Sequence, residues 1–123
     1  MYLADTSIRG SGLGVLAGKL PLTSISCNNS AIDDAGLEQI ARFSNLESLG
    51  LDGTKVTDEG LRHLIGMKNL RSIWLRNTAI SDAGLVHLRG LTNLTSLQVA
   101  KSNVTAHGVA EFNEAMPNVE IRR

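Results

Sequence analysis

"TKVTDEGLRHL", residues 54–64, returns with little change as "TAISDAGLVHL", residues 78–88. Corresponding residues lie 24 apart: Thr54 and Thr78, Asp58 and Asp82, Gly60 and Gly84, His63 and His87. The same spacing runs outward along the chain through Gly12, Gly36, Gly60, Gly84 and Gly108. It also joins Leu13, Leu37, Leu61, Leu85 and Val109, and likewise Leu16, Ile40, Leu64, Leu88 and Phe112. Upstream come Ile8, Ile32, Val56, Ile80 and Val104, preceded by Thr6, Ser30, Thr54, Thr78 and Ser102. Five registers of different chemistry sharing one period specify an array of stacked units.

Each unit has two halves. In "LESLGL" (46–51), "LRSIWL" (70–75) and "LTSLQV" (94–99), the fourth and sixth residues are apolar around one outward residue, the period of a strand with one buried face. "DEGLRHLIGM" (58–67) and "DAGLVHLRGL" (82–91) carry apolar residues at i, i+3 and i+6, the stripe of a short helix packed on one side. Thr57 or Asp58, and Ser81 or Asp82, are expected to cap the helix start. The same reading takes Asp34, Asp58 and Asp82 as caps rather than paired catalytic carboxylates.

The pattern L-x-x-L-x-L-x-x-T-x-[IV]-[ST]-D-x-G-L resembles the leucine-rich repeat of the ribonuclease-inhibitor or cysteine-containing style. It is most similar to the 24-residue version common in bacterial proteins, and it covers residues 3–121. The resemblance implies an α/β right-handed solenoid, a horseshoe fragment with a parallel β-sheet on the concave face and short helices on the convex face. For function it implies a binding scaffold and no single ligand. The units divide one domain, 1–123, into a partial first repeat (1–21), repeats 22–45, 46–69, 70–93 and 94–118, and a terminal partial strand, 119–123. "RGSGLGVLAG" (9–18) holds four glycines, so its helix is expected to be poor or absent. Gly10 and Ala106 stand where other units have aspartate, and the initial strand reads as truncated. A fragment of a longer array is favoured over a frayed natural beginning.

Composition narrows the function classes. Apolar residues make up 42% and aromatics only 3%, so the core is built of Leu, Ile and Val. Twelve basic and twelve acidic residues cancel, leaving no field to draw in nucleic acid or an anionic membrane. A single cysteine, Cys27, excludes an intrachain disulfide framework and suits a reducing, cytoplasmic setting. It occupies a leucine register and reads as a small buried hydrophobe. No apolar run is long enough to span a membrane, and residues 1–20 lack the pattern of a secretory signal. Localisation stays open.

Turning the fourth and sixth strand residues inward turns the third, fifth and seventh outward. Stacking then builds three ladders: Ser24, Ser48, Ser72, Ser96; Ser26, Gly50, Trp74, Gln98; and Asn28, Asp52, Arg76, Ala100, the last flanked by Asn29, Gly53, Asn77 and Lys101. Trp74, the sole tryptophan, lies in the middle beside Gly50, with Arg76 two residues on. Tryptophan and arginine are enriched at binding hot spots. The expected partner-binding residues are therefore Trp74, Arg76, Asp52, Gln98, Asn77, Lys101 and Ser72. The expected partner is a protein or peptide, not nucleic acid or membrane. Competing readings are a structural segment without a ligand, a homo-oligomer formed through terminal edge strands, and an indole that merely covers Gly50. Four or five strands about 4.8 Å apart make a face about 20 Å wide, narrow for a stable interface of about 800 Å² per side.

Catalytic and metal chemistry are set aside, and no cofactor is expected. Gln39, His63, His87 and Glu111 form an outward helix ladder, but neighbouring helices pack about 8–10 Å apart while zinc ligands converge to about 2 Å from the ion. His107 falls in another register. The serine ladder lies on the strand side, away from any histidine base. "GSGLG" (10–14) lacks the lysine and hydroxyl of a phosphate loop. Arg71, Arg76 and Lys101 are opposed by Glu47 and Asp52, and no row of aromatics offers base stacking.

Overall fold

A computed structural model describes residues 1, 13–17, 19 and 21–123. The registers at Leu3, Thr6, Ile8, Gly10 and Gly12 lie outside the described residues, as does half of the glycine-rich stretch 9–18. Leu13–Leu16 form a single 3-10 turn. Among the described residues five strands of three residues each, β1 (Ser24–Ser26), β2 (Ser48–Gly50), β3 (Ser72–Trp74), β4 (Ser96–Gln98) and β5 (Glu120–Arg122), make one parallel sheet in chain order. Ser24 pairs with Ser48, Ser48 with Ser72, Ser72 with Ser96, and Ser96 with Glu120, so the sequence period is also the sheet register. Ahead of β5 the buried residue is Val119 rather than a counterpart of Leu94 at the same spacing, yet the pairing is unchanged.

Strands stay short because the chain turns sharply three residues after each one. Asn29, Gly53, Asn77 and Lys101 all hold positive φ, at 59°, 66°, 54° and 58°. Glycine and asparagine enter this left-handed region readily, whereas lysine does so at a cost. The register that sequence reading treated as flanking surface is thus a backbone requirement. In the same turn, Thr54 Oγ1 donates to Leu51 O at 2.7 Å and Thr78 Oγ1 to Leu75 O at 2.8 Å. Ser30 Oγ accepts from Ile32 N at 3.3 Å. These three hydroxyl residues are buried, and they satisfy turn backbone within their own unit.

On the opposite side run α1 (Asp34–Ile40), α2 (Asp58–Leu61), α3 (Asp82–Leu85) and α4 (Ala106–Ala115). The two middle helices tighten into 3-10 turns at Arg62–Leu64 and Val86–Leu88. Their units place Gly66 and Gly90 two residues beyond, where a helix would lose about 1 kcal/mol relative to alanine. The α4 segment has no glycine after Gly108 and continues until Pro117 forbids more. No described helix is long and apolar enough to cross a membrane. Between sheet and helices, Leu46, Leu49, Leu51, Leu70, Ile73, Leu75, Leu97 and Val99 are almost fully buried with the helix stripe Leu37, Ile40, Leu61, Leu64, Leu85, Leu88 and Phe112. Cys27 is buried among them, and desolvation pushes its thiol up to about 11 against the opposing Met1 ammonium.

One expectation is overturned. Asp34, Asp58 and Asp82 do not cap their own helices; each reaches into the following unit. Asp34 accepts from Thr57 N at 2.7 Å and Thr57 Oγ1 at 2.5 Å, and Asp58 does the same for Ser81. Asp82 accepts from Thr105 N at 2.8 Å and Thr105 Oγ1 at 2.6 Å. Thr57 and Ser81 are the N-cap residues, yet their side chains bond no backbone N–H of their own helix. The carboxylates therefore satisfy the start of the next helix and favour its positive end. This also explains the glycine register. A methyl group on Gly60, Gly84 or Gly108 would collide with the carboxylate of Asp34, Asp58 or Asp82 respectively. At α1, where the preceding unit supplies Gly10, Asp33 caps locally by accepting from Gly36 N at 2.9 Å.

Candidate functional site

The three outward ladders of the sheet form the concave face. Trp74 projects from the end of β3 and is half-buried, paired in register with Gly50 on one side and Gln98 on the other. Its neighbours Ile73 and Leu75 are fully buried, so strand alternation has turned the indole away from the aliphatic core. Gly50 removes a side chain beside it. The result is a shallow groove of about 230 Å³ lined by Ser24, Ser26, Asn28, Ser48, Gly50, Trp74 and Arg76, with Ile25 beneath.

The seventh-position ladder is wired together rather than presented separately. Asn28 Oδ1 accepts from Asp52 N at 3.0 Å, and Asp52 Oδ1 accepts from Arg76 N at 2.7 Å. Asp52 Oδ2 then takes Arg76 Nε at 3.0 Å and Nη2 at 2.8 Å. The Asp52 side chain is only 14% exposed, while Arg76 remains 51% exposed. Hydrogen bonding to Asp52, and its charge, hold the Arg76 pKa above its ordinary value. Asp52 thus orients Arg76 and has little surface of its own.

The other expected residues are spread more widely. Ser72 stands between Ser48 and Ser96 in the hydroxyl ladder, half-buried. Gln98 lies on the far side of Trp74 from the groove, on β4. Asn77 and Lys101 are exposed at the left-handed turn, beyond the strand ends. The groove therefore runs from Trp74 towards β1, not towards Gln98 and Lys101. Ser24, Ser26, Asn28 and Ser48 line it, although sequence reading did not place them among the site residues. Gly50 was the available signal, because it opens the sheet on the β2 side of the indole.

On the helical side His63 and His87 are half-buried, and His107 Nε2 lies 2.8 Å from Glu111 Oε1. Among the described residues, no three His, Cys, Asp or Glu side chains converge on a point that could hold a metal ion. Arg71 is engaged by Glu47, Nε to Oε1, at 3.2 Å.

No family model and no curated protein matches the sequence. Solved structures do. A leucine-rich repeat protein of Leptospira interrogans superposes with a TM-score of 0.67 at 18% identity, over 83% of this chain and 25% of its own. Internalin C2 of Listeria monocytogenes gives 0.65 at 22%, over 79% and 41% respectively. A second Listeria monocytogenes internalin gives 0.56 at 19%, over 89% and 36%. The chain thus spans between a quarter and two-fifths of the length of these structures. Identities this low speak to architecture alone, and on that point they agree with the sheet register: this chain folds as a leucine-rich repeat solenoid.

Proposed function

We propose that the chain is a non-catalytic recognition module that binds a protein or peptide through its concave face, with Trp74 as the anchor. The observation that carries this reading is the indole itself. It is turned out of a core built mainly of aliphatic residues, partly exposed, and bordered by an open groove and an arginine fixed in place by Asp52. A large rigid side chain beside a pre-oriented guanidinium loses little conformational freedom on binding. Among the described residues the groove lining holds one titratable side chain, Arg76, paired with Asp52 behind it, and no histidine or carboxylate lines the groove beside its serines, which supports binding over turnover. The finer repeat type, the 24-residue ribonuclease-inhibitor or cysteine-containing style of bacterial proteins, rests on the sequence period. The protein-partner reading is consistent with a fold shared with internalins.

Self-association through edge strands is the weaker reading. The open edge strand β5 carries Glu120 and Arg122, bonded through Arg122 Nε to Glu120 Oε1 at 2.8 Å, and charged edges resist strand addition.

Selection from a displayed random-peptide library against the immobilised chain tests the proposal. Selected peptides should lose binding on Trp74→Ala while circular dichroism and melting temperature stay unchanged. Retention of binding by that variant would place recognition elsewhere.

A further inference from the structure

From the same groove, and resting on the concave-face reading, we infer that the recognised element is an uncharged extended segment. It presents proline or a branched aliphatic residue to the Trp74 indole and a backbone carbonyl to the outer edge of Arg76. Three observations converge on that chemistry. The first is size. At about 230 Å³ the groove falls below the range of about 300–1,000 Å³ typical of small-molecule sites, so it takes one medium side chain rather than a whole ligand.

The second is charge. Among the described residues Arg76 is the one basic side chain in the groove lining, and Asp52 neutralises it through two bonds to the Nε and Nη2 edge. An incoming carboxylate would meet a guanidinium whose charge is already matched, with a carboxylate directly behind it. An incoming ammonium would find Asp52 only 14% exposed. Neither sign of charge is welcomed, and burying either without a partner is costly.

The third is donor geometry. A guanidinium has five N–H groups, of which Asp52 uses one on Nε and one on Nη2. Among the described residues Nη1 has no hydrogen-bond partner, and the side chain is 51% exposed, which leaves those N–H groups available to an incoming acceptor. A neutral carbonyl is the acceptor that suits a donor whose charge is already compensated. Asn28 and the hydroxyls of Ser24, Ser26 and Ser48 can pair with the remaining amides of an extended chain. Asp52 is then a positioning residue that sets specificity, and not a partner contact.

The test uses the whole chain and N-acetylated, C-amidated tripeptides Gly-Pro-Gly, Gly-Val-Gly, Gly-Glu-Gly and Gly-Lys-Gly. The readout is the Trp74 indole N–H signal in a nitrogen-15 correlation spectrum, at low and high ionic strength. The proline and valine peptides should shift that signal with affinities that salt leaves unchanged. Asp52→Asn, which frees the guanidinium, should raise affinity for the glutamate peptide about fivefold or more and make it salt-dependent. Preference of the wild type for the glutamate or lysine peptide would overturn this inference while leaving the concave face as the binding surface. An indole signal that none of the four peptides moves would overturn both readings.

Discussion

The hand-over of carboxylates between units makes a quantitative prediction that a double-mutant cycle can refute. Asp82 takes two bonds from Thr105, and the nearest atoms to a methyl placed on Gly108 all belong to the Asp82 carboxyl group. Asp82→Ala removes a helix-start acceptor for α4 and a charged bond to a hydroxyl. Caps contribute about 0.5–2 kcal/mol, and this pair borders solvent, so a loss of about 1–1.5 kcal/mol is expected. At about 2.1 cal/mol/K per residue, each kcal/mol moves the melting temperature of a chain this size by about 4 °C, giving a drop of about 4–6 °C. Gly108→Ala in the wild type must displace the carboxylate, and should cost about 1 kcal/mol despite the better helix propensity of alanine. In the Asp82→Ala background the obstruction is gone. The same substitution should then stabilise by about 0.5–1 kcal/mol, the propensity gain alone. The sign of the Gly108→Ala effect therefore reverses, with a coupling of about 1.5–2 kcal/mol. The assay is reversible urea denaturation of the four proteins followed by far-ultraviolet circular dichroism. Additivity within about 0.3 kcal/mol would refute the claim that the glycine register exists to admit the neighbour's aspartate.

Three further outcomes follow. Bonds from Thr105 hold the Asp82 carboxyl below its usual pKa, so its contribution is present above about pH 4 and is lost as pH falls through the lower folded-state value. The stability gap between wild type and Asp82→Ala should accordingly narrow in acid titrations monitored by denaturation, and a gap that stays constant as pH falls would contradict this. Lys101 holds φ of 58° in a register otherwise occupied by Asn and Gly, so Lys101→Asn should stabilise by about 0.5–1 kcal/mol in the same assay. With its pKa raised to about 11 by burial, Cys27 should resist a disulfide reagent at neutral pH until the chain unfolds, and stability should fall as pH rises from about 9 through 11. Rapid labelling of the native protein would contradict its burial.

Much of the fold was legible in the sequence because two periodicities are nested there. The 24-residue period fixed which residues pair across the sheet, down to Ser48 with Ser72 and Gly50 with Trp74. Alternation within each strand then fixed that Leu49 and Leu51 turn inward and Trp74 outward. What spacing does not encode is reach. An aspartate at the first turn of a helix satisfies the same pattern whether it bonds its own helix or the next, and only the direction of its side chain distinguishes them. Asp52 and Arg76 could have been paired from sequence, since opposite charges one period apart sit on adjacent strands. Reading them separately as partner contacts overlooked that ladder neighbours meet each other first. The left-handed turn was half-visible through Asn29, Gly53 and Asn77, but Lys101 disguised it. Helix length was not legible, because Gly66 and Gly90 act only through the path back to the next strand.

Trp74 is the sole tryptophan, so its fluorescence reports on the proposed anchor without labelling. The measurement that tests the account most directly is acrylamide quenching of that fluorescence, free and saturated with a library-selected peptide. Quenching should be ready in the free chain and should fall several-fold in the complex, with emission moving to shorter wavelength as the indole is covered. A peptide that binds tightly yet leaves quenching and emission unchanged would show that recognition takes place away from Trp74.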